Sequence, residues 1–475
     1  MLRKCSQQGA FLSKGLHSLS WLSASELARL RVPSLHVDIA ELANIHGPVF
    51  GLPLGDIKAL VVGDADLAEH VLSPRKAGRA FAFRWEDTQH MPFAEWGQLL
   101  GASPDSSGTA GIFFGNGPRH WAPPRRACEK GLLNGRVVRE AGAAAAVRAA
   151  ENLANRWVAA GARTFDVHVD IRDSTLDVVS RVAFGDDDSL NDAARQEIKE
   201  IYAGTTGSLE RLIGVPTDWW WLLRRGPAAE LRSCAQRLQS LLLLQLKDRR
   251  SRLQSQPEEA RRCVIDLLLE TDLPDGAILH NAMQILGAGH DTTATSLALL
   301  LWQLAIDREL QDTVRDEVRT SLAGASLDAA RTPLLSACVR EVLRLWPAAP
   351  LTVRQALEPA PAWEGLSLPL GTVAIVAPWL LGRSAQLWAE PGTFSPKRHL
   401  TQGCQAKPHA FAWIPFGYGM RSCVGQHLAV AELEAFAASL VRRLRFSAGP
   451  DPPDVEWFLT LRLCSGLSLR VEPVG

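Results

Sequence analysis

From Asp275 to Asp307 the chain keeps helical apolar spacing over roughly thirty residues, long for a helix of a globular protein. Further helical patterns run from Arg139 to Trp157, Ile171 to Phe184, Leu231 to Leu253, Glu309 to Leu322 and Pro333 to Leu345. A shorter one, His36 to His46, stops at Gly47-Pro48, and Ala65 to Leu72 is ended by Ser73-Pro74. Strand signals are few. Val49 to Leu54 and Lys58 to Val62 read as a pair turning at Gly55-Asp56, with further pieces at Leu351 to Ala356 and Thr372 to Val376. No linker separates two cores and no internal repeat stands out. The fold class is therefore mainly α with minor β: one helix-rich domain over 35–475 with a small β-rich lobe. The stretch from Arg79 to Gly117 has no clear period, and a loop of that length points to a functional role.

Charge removes several function classes. Lys+Arg and Asp+Glu number 51 each, so the net charge is zero and a nucleic-acid partner is not expected. The eight cysteines are scattered and no C-x-x-C occurs, which argues against a disulfide framework and against a cysteine zinc site. No apolar run approaches the length that crosses a bilayer, so no transmembrane anchor is expected. Before Glu26 the chain carries Arg3, Lys4, Lys14 and several serines but no acid. That is the composition of an organelle transit peptide or of a disordered terminus, and residues 1–34 are set apart as a leader. The location expected is an organelle, a mitochondrion before a plastid, with the cytoplasm as the alternative. The excess of fifteen Trp over two Tyr has no explanation at the level of sequence.

The most informative stretch runs from Phe416 to Gly425, F-G-Y-G-M-R-S-C-V-G, and leads into a helix from about Gln426 to Leu444. A cysteine so placed meets backbone N–H groups and the positive end of a helix dipole, which favour thiolate. Gly419 and Gly425 permit tight turns and close approach to a large flat ligand. Taken alone, such a cysteine is more often a structural thiol than a ligand. Within the long helix, Gly287-Ala288-Gly289-His290-Asp291-Thr292-Thr293 collects residues poor in a helix interior, so a local widening is expected there. Glu341 and Arg344 stand at i,i+3 on one helix face, where they can pair.

The pattern F-x-x-G-x-R-x-C-x-G resembles the haem-thiolate signature of the cytochromes P450. In chain order, Trp121 and Arg125 fit W-x-x-x-R, Gly287 to Thr293 fits the A-G-x-D-T-T form of the family's helix I, and Glu341 to Arg344 fits E-x-x-R. Trp388, Pro391, Phe394, Pro396 and Arg398 look like the meander. The resemblance implies the P450 fold and a haem b (iron protoporphyrin IX) with Cys423 as axial thiolate. Phe416, Arg421 and Gly425 belong to the same loop, and Trp121, Arg125 and Arg354 would serve the propionates. It further implies a structural charge triad of Glu341, Arg344 and Arg398, with Thr292 as a hydrogen-bond donor to dioxygen and Asp291 relaying protons. His290 fills the variable position and reads as a packing or surface residue.

The activity so implied is insertion of one oxygen atom of O2 into a lipophilic small molecule. Alternatives are a haem-thiolate isomerase or dehydratase of lipid peroxides and a non-catalytic haem-binding protein. The implied partners are an electron donor, O2 and the substrate, with room for a peripheral membrane contact. Likeness of Leu381 to Leu387 and Ala429 to Leu433 to the mitochondrial class favours a ferredoxin-type donor over a diflavin reductase. Arg125, Arg126, Lys130 and Arg340 would form its basic patch. Gln426-His427 depart from the two basic residues usual there. Substrate contacts are expected from the loop at 79–114, the stretch from Tyr202 to Trp221, Leu286 to Thr293 and Pro350 to Val353, with a turn near Phe458 to Thr460.

Overall fold

In the computed structural model the long helix is continuous over Asp275–Ile306, and the widening expected at Gly287 to Thr293 does not occur. The reason lies in how Gly289 is used. A Cβ there would sit 2.5 Å from Val179 Cγ2, so the glycine lets a neighbouring helix approach rather than breaking its own. The residues described are 19–54, 57–77, 111–113, 121–133, 136–185, 192–212, 226–257, 263–321, 332–356, 358–400, 409–458 and 460–474. The turn at Gly55-Asp56, most of the loop at 79–117 and the Trp219 to Trp221 run lie outside them.

The amino-terminal elements are α1 (Leu35–His46), β1 (Val49–Leu54), β2 (Ile57–Val62) and α2 (Ala65–Leu72). Then follow α3 (Ala122–Cys128), α4 (Arg136–Ala160), β3 (Arg163–Asp166), α5 (Val167–Phe184), α6 (Asp192–Leu212), α7 (Pro227–Ser255) and α8, the long helix. Next are α9 (Arg308–Ser321), α10 (Pro333–Leu345), β4 (Thr352–Gln355), β5 (Ala360–Trp363), β6 (Leu366–Leu368) and β7 (Val373–Val376). The carboxyl end supplies α11 (Gln426–Arg443), β8 (Leu444–Ser447), β9 (Glu456–Phe458), β10 (Thr460–Arg462) and β11 (Ser468–Pro473). Helices dominate and strands are short, as the periodicity implies.

The chain divides into two compact units, one of residues 1–86, 340–423 and 456–461, the other of 87–339, 424–455 and 462–475. The first holds a four-stranded sheet ordered β1-β2-β7-β4, with β2 and β7 parallel and the other pairs antiparallel. All four residues of β7 are buried, which is what a central strand covered on both faces requires. Leu60, Val62, Leu67, Val71, Val376 and Phe411 share its core. Several tryptophans of this unit lie under arginines: Trp379 under Arg383, Trp388 near Arg344 and Arg398, Trp413 under Arg340. Such rings cover guanidinium groups with an apolar face that also attracts their charge.

The second unit is built on helices. α8 lies against α5, α4 against α11, and α6 against α7. A three-stranded sheet, β3-β11-β8, joins segments far apart in sequence. Arg249 and Asp266 form a buried two-point ion pair at 2.7 and 2.9 Å. Gln311 and Arg315 of α9 donate to the carbonyls of Phe446 and Val441, tying α9 to β8 and to the end of α11.

Candidate active site

The loop carrying Cys423 is shaped by glycines. Gly417 and Gly419 have φ of 66° and 72°, a region that costs a side-chain-bearing residue about 1–2 kcal/mol. A Cβ on Gly419 would also collide with the carbonyl oxygen of Leu72. Gly419→Ala is therefore expected to lower stability by about 2 kcal/mol or more, read as an earlier denaturant midpoint. Within the loop the N–H of Gly417 donates to Ile414 O at 3.0 Å, that of Ser422 to Gly419 O at 3.1 Å, and that of Cys423 to Phe416 O at 2.9 Å. Arg421 ends the short 3-10 turn, and Gly425 is the N-cap residue of α11. Among the described cysteines Cys423 is the exposed one, whereas Cys128, Cys263 and Cys338 are buried. Burial pushes the Cys128 thiol up to about 12, so it stays protonated at neutral pH.

The chain leading into that loop is braced by α10. Glu341 is fully buried and accepts from Arg344 Nε and Nη2 at 2.8 Å each and from Arg398 Nε at 2.9 Å. It also accepts from His399 Nε2 and the Ser395 N–H, both at 2.8 Å. Burial alone would raise the Glu341 carboxyl, but the bonds from Arg344 and His399 outweigh it and hold it at about 2. Arg344 goes on to donate to Pro391 O at 2.7 Å, Thr393 O at 3.1 Å and Gly382 O. The Trp413 indole donates to Arg340 O at 3.0 Å. The structure thus brings the three charged residues together around one carboxylate. Sequence reading missed His399 and Ser395; the basic residue directly after Arg398 was the available signal.

The second unit holds Asp291, Thr292, Trp121 and Arg125. Asp291 is buried, with Arg462 Nε 3.6 Å from its Oδ2. Burial raises its carboxyl, yet the charge of Arg462, together with His290, His168 and Arg172, pulls it below the usual carboxylate range. Thr292 is less buried and its hydroxyl donates to Ala288 O at 2.8 Å, the back-bond typical of Thr in a helix. His290 is a packing residue: its Nδ1 meets Leu286 O at 2.8 Å and its ring stacks edge-on against Tyr202. Arg125 is buried, with Nε donating to Glu129 at 2.6 Å and its guanidinium over the Trp121 ring. Its burial removes it from any basic surface patch. Exposed Arg126 and Lys130 stay available in this unit, and exposed Arg340 in the other. Arg354, in the first unit, is buried on β4 and donates to Thr352 Oγ1 at 2.8 Å.

The donor set fits an iron porphyrin. The first unit offers an exposed thiol in a glycine-shaped loop and the guanidiniums of Arg354 and Arg421, suited to a soft metal ligand and to anionic carboxylates.

A family model for cytochrome P450 matches residues 24–463, and the chain belongs to that family. Its members are monooxygenase oxidoreductases that bind haem b through a cysteine thiolate. Ferruginol synthase of Isodon rubescens is 25% identical over 466 residues, covering 92% of this chain and 90% of its own length. Human cytochrome P450 4B1 is 32% identical over 192 residues, 39% of this chain, and the match spans 37% of that relative. The match to rat cytochrome P450 4X1 spans 64% of its length, at 26% identity and over 65% of this chain. Among solved structures, a zebrafish cytochrome P450 crystallised with progesterone has a TM-score of 0.75 at 24% identity, covering 92% of this chain and 99% of that one. The haem domain of cytochrome P450DA has a TM-score of 0.77 at 18% identity, covering 96% and 98%. At these identities the structural likeness establishes the fold. Among the described residues no helix is long and apolar enough to cross a membrane.

Proposed function

We propose that this protein inserts one oxygen atom from O2 into a lipophilic small molecule, with Cys423 as the thiolate ligand of its haem. The observation that carries the reading is the Asp291-Thr292 pair: a buried carboxyl kept ionised beside a hydroxyl on a more open helix face. An enzyme that rearranges a lipid peroxide, or a protein that only holds haem, needs no such proton-handling pair. Bound haem supplies the oxidising chemistry, and electron density from the thiolate favours O–O cleavage.

The chain's own residues supply the rest. Asp291 holds and passes protons, and Thr292 offers a hydroxyl that can release its back-bond and donate elsewhere. By the family pattern Trp121, Arg125 and Arg354 would serve the propionates, and Phe416 and Arg421 belong to the loop of the thiolate. Glu341, Arg344 and Arg398 keep the segment before the cysteine in place, and Gly425 starts α11. Two relatives that align over most of the chain are named as synthases of ferruginol and of carnosic acid, in keeping with a small organic substrate. The test is turnover under 18O2 with lipophilic compounds that shift the Soret band. One labelled oxygen per product is expected; turnover of a lipid hydroperoxide without reductant, and none with O2, would overturn the reading.

The donor is proposed to be a ferredoxin-type protein, with the enzyme in an organelle. Exposed Arg126 and Lys130 support an acidic partner. Reduction is expected to slow severalfold between low and physiological salt, and a salt-independent rate would count against that donor.

A further inference from the structure

Beside α8 the second unit holds a cavity of about 100 Å³ whose walls include Asp166, His168, Arg172, Asp291, Arg462 and Cys464. It is polar and has room for several waters. One of its charged side chains has an evident structural task. Asp166 caps α5, accepting from the His168 N–H at 3.1 Å and from the Leu467 N–H at 3.0 Å, and Gly466 is needed because a Cβ there would strike that carboxylate. Arg462 stands 3.6 Å from Asp291, beyond hydrogen-bond distance, so water in the cavity can still reach the carboxylate. His168 comes from the first turn of α5, and its Nε2 lies 3.4 Å from the hydroxyl of Thr295, one turn of α8 beyond Asp291. Its ring therefore shares the cavity with the carboxylate while touching the same helix.

We propose that this cavity is the proton-entry chamber of the enzyme, in which His168 passes protons from water to Asp291 and Arg462 positions Asp291 to receive them. The inference rests on the oxygenase reading and adds to it the route by which Asp291 is reloaded. The step moves a proton only: hydronium in the cavity water gives its proton to one ring nitrogen and becomes water, the other ring nitrogen gives its proton to the Asp291 carboxylate, and the ring is left neutral as its other tautomer, with no electrons changing hands. The charged and titratable groups around His168 are Asp166 and Arg172 from its own end of α5, Asp291 from α8, and Arg462 and Cys464 from the carboxyl-terminal segment. Burial holds its pKa below the ordinary value against the pull of Asp291, so at neutral pH the ring is uncharged and able both to accept and to donate.

The experiment uses the full chain with haem, labelled at histidine Cε1 for NMR in the diamagnetic reduced CO form. Asp291→Asn should move the His168 titration downward by half a unit or more, because a neighbouring negative charge is lost. An unmoved His168 titration would by itself overturn the proposal. Kinetically, His168→Phe should lower kcat about tenfold or more with KM little changed and raise the solvent deuterium isotope effect, with the reduced CO band retained. Should that variant not fold, His168→Gln keeps size and polarity but cannot relay a proton. A kcat and isotope effect within twofold of wild type in an active enzyme would refute the relay. If wild type shows no O2-dependent turnover, the oxygenase reading fails, and the NMR arm still decides whether the two groups are coupled.

Discussion

Glu341→Ala is expected to destabilise the protein by about 3–5 kcal/mol, because it leaves Arg344 buried without its carboxylate. Arg344 is 2% exposed, so water cannot replace the lost partner. His399 and Arg398 lose the same acceptor, and the segment from Pro391 to Ser395 loses its anchor. Denaturant titration of the two forms measures the difference; midpoints that coincide would show the cluster to be dispensable. The pH dependence gives a second reading. The carboxyl lies at about 2 in the fold against an ordinary 4.5, so its stabilisation is complete above about pH 4.5 and is lost as pH falls through about 2. That contribution is about 3 kcal/mol. Wild type should weaken across this window more steeply than Glu341→Gln, which has no charge to lose.

Cys423→Ser should abolish the thiolate-type absorption near about 450 nm in the reduced CO difference spectrum, where wild type shows a clear band. The variant removes the exposed sulfur while leaving the backbone bond from residue 423 to Phe416 O intact. Folding should therefore change little, and a lost band with a preserved melting curve separates a ligand from a structural thiol. Equal spectra in the two proteins would mean that another group holds the iron. The contrast with Cys128 is instructive: its burial keeps the thiol protonated, so Cys128→Ser should leave the spectrum unchanged.

Much of the element map was readable because period and breakers are local. The helix ends at His46 and Leu72 follow from Gly47-Pro48 and Ser73-Pro74, and α10 begins and ends where its pattern does. The i,i+3 spacing of Glu341 and Arg344 was enough to place them on one face. What spacing could not distinguish was an exposed pair, worth well under about 1 kcal/mol, from a buried one that holds a loop. Burial is decided by what packs around α10, and neither Ser395 nor His399 announces itself as a ligand of that carboxylate. The run from Gly287 to Thr293 stays helical, against expectation, for a related reason. Propensity counts the cost of glycine within its own helix, whereas Gly289 is there for Val179 on α5.

By itself, then, the sequence determined the helix-rich class, the long helix and the order of the chemical motifs. Each of these depends on residues a few positions apart. Only the tertiary structure decided that Glu341 collects its partners over 58 residues, that Arg125 is buried, and that Asp166, His168, Asp291 and Arg462 line one cavity. Those are meetings of distant segments, and their energies depend on water being excluded when the segments close together.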